Sequence, residues 1–325
     1  MSSMKTLTIC GGLLGAVCLA TTASAQSLEW TSGQVGGGWY SQASGMAQLI
    51  QEEYPDISIS VVPGGGTANP TLVERNRSQL GSGLDIFTFA ASEGKHNYDE
   101  AHESLRMIGM SFSDIYLHLV RSEDAPYESF DELFREGEDV NIAVTKAGSS
   151  DEQTFRYVMD YYGVDYDTLR DERGWKINLV DYAASASQFG DGQVDYAFHV
   201  LGIPGAAIVE MSQARDAELV AWPEDLTSHL SETYGYSVGE VPGDTYSDIQ
   251  DGAVPTVLMG TTLMTNSEVD EDTVYNITKA ICENEDKLPS IHQSMEVFSC
   301  ETGGQNPPAP LHEGAKRYYE EQGYL

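Results

Sequence analysis

The chain has 325 residues, 41% of them hydrophobic, and carries 51 Asp and Glu side chains against 17 Lys and Arg, a net charge of −34. This acidic excess argues against binding to nucleic acid and to anionic membrane surfaces, because both would repel the protein. The acids are spread along the chain, as in the solvated surfaces of proteins from salty surroundings. The length suffices for one large core or two moderate ones, and we expect two lobes.

The first 25 residues are typical of an export signal. Lys5 supplies a positive charge, Leu7 to Ala20 is nearly all apolar or small, and Ala23-Ser24-Ala25 offers a cleavage site. We expect residues 1–25 to be removed, which leaves a periplasmic protein that begins at Gln26 with a net charge of 16 − 51 = −35. The alternative is a retained membrane anchor, for which the apolar stretch is short.

The cysteines divide between the signal and the mature chain. Cys10 and Cys18 lie in the signal, so Cys282 and Cys300 remain in an oxidising compartment. A disulfide between them would close a loop of 18 residues, with a stabilisation of about 3 kcal/mol. The alternative is a pair of buried thiols that never meet.

Strands and helices alternate after the signal, which favours an α/β fold. A first strand begins at Leu28, and the glycine-rich turn Gly33–Gly38 leads from it into a helix that reaches Ile50. A second strand, Ile57–Val62, ends at a second glycine turn, and Thr67-Ala68-Asn69-Pro70 then opens a helix. Further strands are predicted at Ile86–Ala90, Met107–Ser111 and Ile115–Arg121.

A second region follows the same pattern. Strand Val140–Val144 turns at Gly148-Ser149-Ser150 into a helix over Glu152–Tyr162, where Ser150 and Gln153 have capping-box spacing. Later strands are predicted at Ile177–Asp181, Gly192–His199 and Thr256–Met264, and later helices at Ala184–Phe189, Pro204–Ser212, Thr273–Asn284 and His312–Gln322. No linker divides the chain, so we expect discontinuous lobes: residues 26–115 and 255–325 form lobe I, and residues 116–254 form lobe II.

Three strand–turn–helix junctions place Gly, Ser or Thr at a helix start. They are Gly36–Tyr40, Gly64–Asn69 and Gly148–Ser150. Ligands of open α/β sheets bind beyond the carboxyl ends of the strands, where free N–H groups and the helix dipole favour an anion. We therefore expect the junctions to converge on one cleft between the lobes, although each alone is also compatible with an ordinary loop.

The chain resembles the solute-binding subunits of TRAP (tripartite ATP-independent periplasmic) transporters, specifically the TAXI branch (TRAP-associated extracytoplasmic immunogenic protein). The matching segments are Gly37-Gly38-Trp39-Tyr40, Gly65-Gly66-Thr67-Ala68-Asn69, Gly148-Ser149, Phe189 to Phe198 followed by Gly202-Ile203-Pro204, Val241 to Tyr246, and Pro310 to Gly323. The resemblance implies a two-lobed, type II periplasmic-binding-protein-like fold without catalysis. It further implies capture of an organic anion such as glutamate, 2-oxoglutarate or another dicarboxylate, and its delivery to TRAP membrane permease subunits for secondary transport.

The resemblance also implies a set of ligand contacts. Backbone N–H groups near Gly66 and Ser149 would receive a carboxylate, and Asn69→Ala is expected to weaken binding at least tenfold. The alternatives are a helix cap for Asn69, a core position for Trp39 and a purely structural role for His199. The predicted contact residues are Gly38, Trp39, Tyr40, Gly66, Thr67, Asn69, Gly148, Ser149, Ser150, Phe198 and His199.

Two departures from the family pattern bear on the ligand. Asp151 and Glu152 follow Gly148-Ser149-Ser150, where related proteins have a glycine-rich Gly-Ser-Gly turn. Two carboxylates at a helix start satisfy its dipole and oppose an incoming anion. The stretch Arg77–Asp85 matches only loosely, and either departure would fit a solute outside the familiar set.

The competing class is an enzyme. Gly33–Gly38 lacks the dinucleotide spacing, and the sequence has no Gly-x-Ser-x-Gly elbow, no His-Glu-x-x-His helix and no phosphate loop. We therefore expect no catalysis, no cofactor and no metal site, and a monomer that binds a small solute. A periplasmic sensor that presents its ligand to a receptor would share the same binding chemistry.

Overall fold

The computed structural model describes residues 26–325, so the predicted signal, with Cys10 and Cys18, lies outside the described residues. The strands are β1 (Gln26–Thr31), β2 (Ile57–Val62), β3 (Leu80–Leu84), β4 (Leu105–Ser122), β5 (Asn141–Val144), β6 (Lys176–Leu179), β7 (Tyr196–Leu201), β8 (Ala217–Leu219), β9 (Ser237–Val241) and β10 (Val254–Asn266). The helices are α1 (Gly38–Glu53), α2 (Asn69–Glu74), α3 (Asp85–Glu93), α4 (Phe130–Glu136), α5 (Ser150–Tyr162), α6 (Tyr182–Gly190), α7 (Ala206–Ala214), α8 (Glu224–Tyr234), α9 (Glu271–Cys282), α10 (Leu288–Ile291), α11 (Cys300–Gly303) and α12 (Glu313–Gln322). Short π-helical and 3-10 segments lie at Thr168–Glu172, Glu285–Lys287 and Gln293–Val297.

The strands form one mixed sheet in the order β2-β1-β3-β10-β4-β7-β5-β6, with β8 paired to β4 and β9 paired to β10. The strands at each end are parallel, whereas β4 and β10 run antiparallel to their neighbours. Strand β10 pairs with β9 over Val254–Leu258 and with β3 over Thr261–Thr265. Strand β4 pairs with β7 from Tyr116 onward. These two long strands join the halves of a two-lobed α/β fold, whose exact lobe boundaries stay a prediction.

Each lobe has its own core. On the β1–β3 side, which we call lobe I, Trp30 and Leu263 pack with side chains of α1, α9 and α12. On the β5–β7 side, lobe II, Phe155 of α5 packs against Phe198 with ring centroids 5.4 Å apart, and Trp222 completes the cluster. Burial of these large side chains fixes the ends of the strands, and the loops that follow them are positioned as a result.

The predicted strand Ile86–Ala90 is wrong, because this segment is helix α3. Ile86, Phe87, Ala90 and Ala91 are buried at helical spacing, and Gly94 ends the helix in the left-handed conformation. The strand before it, β3, was not predicted because its sequence Leu-Gly-Ser-Gly-Leu has low strand propensity. Its glycines serve packing, since a Cβ at Gly81 would stand 2.6 Å from a methyl group of Val73.

The C-terminal helices of lobe I are tied together by a disulfide. Cys282 ends α9 and Cys300 begins α11, and the two form a disulfide with Cα atoms 5.4 Å apart. The bond closes the segment that contains α10 and the 3-10 turn at Gln293–Val297. A segment made of such short helices has few internal hydrogen bonds, so the covalent link limits its freedom in the unfolded chain.

Asp85 is a half-buried acid where the two lobes join. Its carboxylate accepts hydrogen bonds from the N–H groups of Ile86 at 2.7 Å and of Gly260, on β10, at 3.0 Å. Burial raises the pKa of Asp85 from 3.8 to about 6, and the negative charge of Asp114, opposite Gly260 on β4, adds to the rise. At neutral pH the folded state therefore holds a carboxylate that water would solvate better.

This raised pKa predicts that the wild type loses stability relative to Asp85→Asn as the pH rises from 4.0 to 7.5. The pKa of Asp85 is higher in the folded than in the unfolded state, so its contribution is most favourable below pH 4 and is lost as pH rises through about 6. Between pH 4 and neutral pH, the free energy of unfolding of the wild type should fall by up to about 3 kcal/mol relative to that of the variant. Urea unfolding at pH 4.0 and 7.5 measures the difference, with the exposed Asp251→Asn as control. Parallel pH profiles for wild type and Asp85→Asn would contradict the prediction.

Candidate ligand-binding cleft

A cavity of about 290 Å³ lies between the lobes, which is near the lower end of the range for small-molecule sites. Lobe I contributes residues from 33–42 and 64–66, that is, the turns after β1 and β2. Lobe II contributes residues 149–151 at the start of α5 and residues 200–207 between β7 and α7. Ile115, Tyr182 and His292 complete the lining, which contains no Lys or Arg among the described residues.

Two helices begin at the cavity without a side chain that caps them. Helix α1, of 16 residues, follows Gly37, and helix α7, of 9 residues, follows Gly205. Neither helix has a side-chain cap or an acid in its first turn, so its first N–H groups and the positive end of its dipole are left for a ligand or solvent. The cleft thus offers an anion neutral N–H donors from both lobes.

The third helix, α5, is capped internally. Ser149 is its N-cap, and its Oγ accepts the N–H of Glu152 at 3.1 Å. The predicted cap at Ser150 with Gln153 is therefore wrong by one residue, because Gly148 (φ +89) turns the chain and leaves Ser149 extended. The carboxylate of Glu152 pairs with Arg156 at 2.7 Å, so its charge is balanced within the helix.

Asp151 is a fully buried acid in the lining of the cleft. One oxygen accepts the N–H of Val200 at 3.0 Å, and the other accepts the hydroxyls of Tyr182 at 3.2 Å and Ser150 at 3.3 Å. Burial and the Asp151 charge raise the pKa of Tyr182 well above 10, so the phenol keeps its proton and donates. Asp151 thereby ties the start of α5 to the end of β7 and is already surrounded by donors.

His199 and Phe198, predicted as cleft contacts, lie instead in the core of lobe II with no exposed area. His199 Nε2 is 2.8 Å from Ser185 Oγ, and its Nδ1 is 3.5 Å from Asp151 Oδ1. Ser185, His199 and Asp151 are arranged in the order of a hydrolase triad, but Ser185 has no exposed area. Phe198 and His199 point to opposite faces of β7, and both faces of this central strand are covered, so both side chains are buried.

Asn69 supports the second glycine turn from below and does not line the cavity. It is fully buried, and its Oδ1 accepts the hydroxyl of Thr31 and the N–H of Gly65, both at 2.9 Å. Its Nδ2 donates to the carbonyls of Ser32 at 2.9 Å and Ser82 at 2.8 Å. All four bonding positions of the amide are thus used within lobe I.

Thr67 and Gly148 join the two lobes and are not among the lining residues. The N–H groups of Thr67 and Ala68 each lie 3.3 Å from the carbonyl oxygen of Gly148. The carbonyl of Thr67 accepts the hydroxyl of Tyr98 at 2.8 Å. The turn after β2 is therefore in direct backbone contact with the turn before α5.

Of the remaining predicted contacts, Gly38, Trp39, Gly66, Ser149 and Ser150 line the cavity. Tyr40 does not, and its hydroxyl lies 3.3 Å from the carbonyl of Val61.

Tyr182 and His292 line the cavity but were not predicted from the sequence. Neither follows a glycine turn, which was the signal used to find the cleft. Tyr182 begins α6, and His292 follows α10 more than 250 residues after the first turn. Gly202 and Pro204, in a segment that carries the family resemblance, also line the cavity and were not among the predicted contacts.

No cluster of three or more His, Cys, Asp or Glu side chains suited to a metal ion occurs in residues 26–325. Across the same range, every helix is too short or too polar to cross a membrane.

The fold is that of periplasmic solute-binding proteins. The periplasmic binding protein BugD matches with a TM-score of 0.54 and 12% identity, over 91% of this chain and 93% of its own. MatC from Rhodopseudomonas palustris, solved with bound malate, matches with a TM-score of 0.54 and 13% identity, over 92% and 97%. A periplasmic transporter structure matches with a TM-score of 0.51 and 12% identity, over 92% and 94%. At such identities the likeness establishes the fold alone.

The chain belongs to the NMT1-like family, whose profile matches residues 31–323. The match spans both lobes and every segment that lines the cleft.

Proposed function

We propose that this protein is an extracytoplasmic solute-binding subunit that captures a small organic anion between its lobes and delivers it to a membrane permease of the TRAP type. The observation that carries the proposal is the cavity at which α1 and α7 both begin without a capping side chain. Helix starts of this kind bind carboxylates through N–H groups and dipole.

Two further observations, the resemblance of the lining segments and the ligand of a protein with the same fold, support the proposal. The cavity has no Lys or Arg in its described lining, so a bound anion would rest on neutral donors. The segments that carry the TAXI resemblance include cavity-lining residues such as Gly66, Ser149 and Gly202. A protein of the same fold, MatC, was solved with bound malate. Of the two acids at the start of α5, Glu152 pairs with Arg156, and Asp151 accepts three hydrogen bonds from neutral donors.

Thermal unfolding with a panel of solutes tests this function. We expect L-malate, L-glutamate or 2-oxoglutarate to stabilise the exported protein, by about 2.7 kcal/mol when present at 100 times its dissociation constant. L-glutamine is the matched control, because it replaces the side-chain carboxylate of glutamate with an amide of nearly the same shape. Stabilisation by solutes that lack a carboxylate, with none from the three acids, would overturn the proposal.

A further inference from the structure

His292 is a lobe I side chain in the lining of the cleft that the function above has not used. It follows α10 and caps the 3-10 segment Gln293–Val297, and its imidazole is half-buried. The ring faces the first residue of α1: a Cβ added at Gly38 would stand 3.0 Å from His292 Nε2. A glycine at the start of this helix therefore leaves that ring nitrogen uncovered.

A chain of hydrogen bonds fixes which ring nitrogen carries the proton. The side-chain amide nitrogen of Gln42 donates to Ser294 Oγ at 3.0 Å, which leaves the Ser294 hydroxyl free to donate onward. Ser294 Oγ is 2.8 Å from His292 Nδ1, and the Ser294 N–H donates to the same nitrogen at 3.3 Å. Nδ1 is thus an acceptor, and in the neutral ring the proton resides on Nε2.

The ring is neutral at physiological pH. Burial lowers the pKa of His292 from its ordinary value of 6.5. Two donors directed at Nδ1 also leave no acceptor there for a second proton. Nε2–H forms no hydrogen bond with any residue in 26–325, so the cleft contains a fixed and unused neutral donor beside the start of α1.

We infer that His292 is a specificity-determining residue whose Nε2–H donates to a carboxylate oxygen of the bound solute, next to the N–H groups that begin α1. The inference rests on the proposed function and names the chemistry at one end of the site. The solute must present an acceptor there. An ammonium group placed at this position would face donors only, and the site would reject it.

Calorimetric titration of L-malate, L-glutamate and 2-oxoglutarate into wild type, His292→Asn and His292→Gln tests this role. The Asn side chain places an oxygen near Nδ1 and still caps Ser294, but it lacks the donor in the cleft. The Gln side chain carries its amide nitrogen to the position of Nε2. We expect the Asn variant to bind the preferred acid at least tenfold more weakly, and the Gln variant to recover most of that loss.

Unchanged affinity in His292→Asn, or equal weakening in both variants, would overturn the role of His292 and leave the proposed function standing. Failure of all three acids to bind the wild type would overturn the function and the ligand role together.

A measurement without ligand tests the tautomer itself. In protein labelled with ¹⁵N-histidine, long-range proton–nitrogen spectra at pH 7 should show His292 protonated at Nε2 alone. Ser294→Ala removes the hydroxyl donor and should weaken this preference. A ring protonated at Nδ1, or at both nitrogens, would contradict the inference.

Discussion

Asn69→Ala is expected to lower the free energy of unfolding by about 3–5 kcal/mol and to weaken solute binding more than tenfold as a consequence. The substitution leaves the N–H of Gly65 and the carbonyls of Ser32 and Ser82 without their partner in a buried or partly buried position, and each such group costs about 1–3 kcal/mol. The same bonds hold the glycine turn that lines the cleft, so its position should be lost with them.

Urea unfolding and calorimetric titration together separate the two roles that Asn69 could have. If Asn69 only contacted the ligand, its substitution would lower the affinity and leave the stability unchanged. If Asn69 supports the turn, its substitution lowers both. Thr31→Val removes one of the four bonds while keeping the shape of the side chain, and should cost about 1 kcal/mol. Asn276→Ala, on the half-buried surface of α9, is the matched control. If the Asn69→Ala variant unfolds at the same urea concentration as the wild type, Asn69 does not support the turn.

Gly65→Ala is expected to hold the two lobes apart and to weaken binding at least tenfold. A Cβ at Gly65 would stand 2.4 Å from the carbonyl oxygen of Gly148 in the other lobe. The obstructing atom belongs to the backbone, so no side-chain rotation relieves the clash. The backbone contacts of Thr67 and Ala68 with Gly148 would then be broken, and the closure of the lobes that we expect on solute binding would be prevented.

Small-angle X-ray scattering with and without the preferred acid measures this effect. The wild type should become more compact when the acid binds, and the Gly65→Ala variant should not. Gly252→Ala is the matched control, because a Cβ at that position meets nothing within 4 Å. Normal compaction and affinity in Gly65→Ala would show that the contact between the turns plays no part in closure.

Local patterns in the sequence were informative wherever the interaction itself is local. The glycine turns after β1 and β2 and the helices that follow them were predicted, because turn and helix signals depend on neighbours a few residues apart. The prediction of a strand at Ile86–Ala90 was wrong because the local pattern there is ambiguous. Its short apolar run is compatible with either structure, and the glycines of β3 concealed the true strand before it.

The sequence indicated which turns form the candidate site, but it did not indicate which side chains line it. Gly38 and Ser149 line the cavity because each lies at a helix start whose first N–H groups point there, and Gly66 lines it in the turn after β2. Asn69 follows Gly66 in the turn after β2, yet its side-chain amide faces the interior of lobe I. There it forms hydrogen bonds with four backbone and side-chain groups. Phe198 ends up in the core because both faces of β7 are covered.

The sequence by itself determined the acidic character, the alternation of strands and helices, and the glycine turns from which the cleft is built, because each depends on composition or on residues close together in the chain. Tertiary structure alone decided which side chains face the cleft. Asp151 meets Tyr182 and Val200, and His292 meets Gly38, across separations that no local pattern encodes. Such encounters arise when two cores pack and bring distant loops to one place, and that packing is a property of the whole chain.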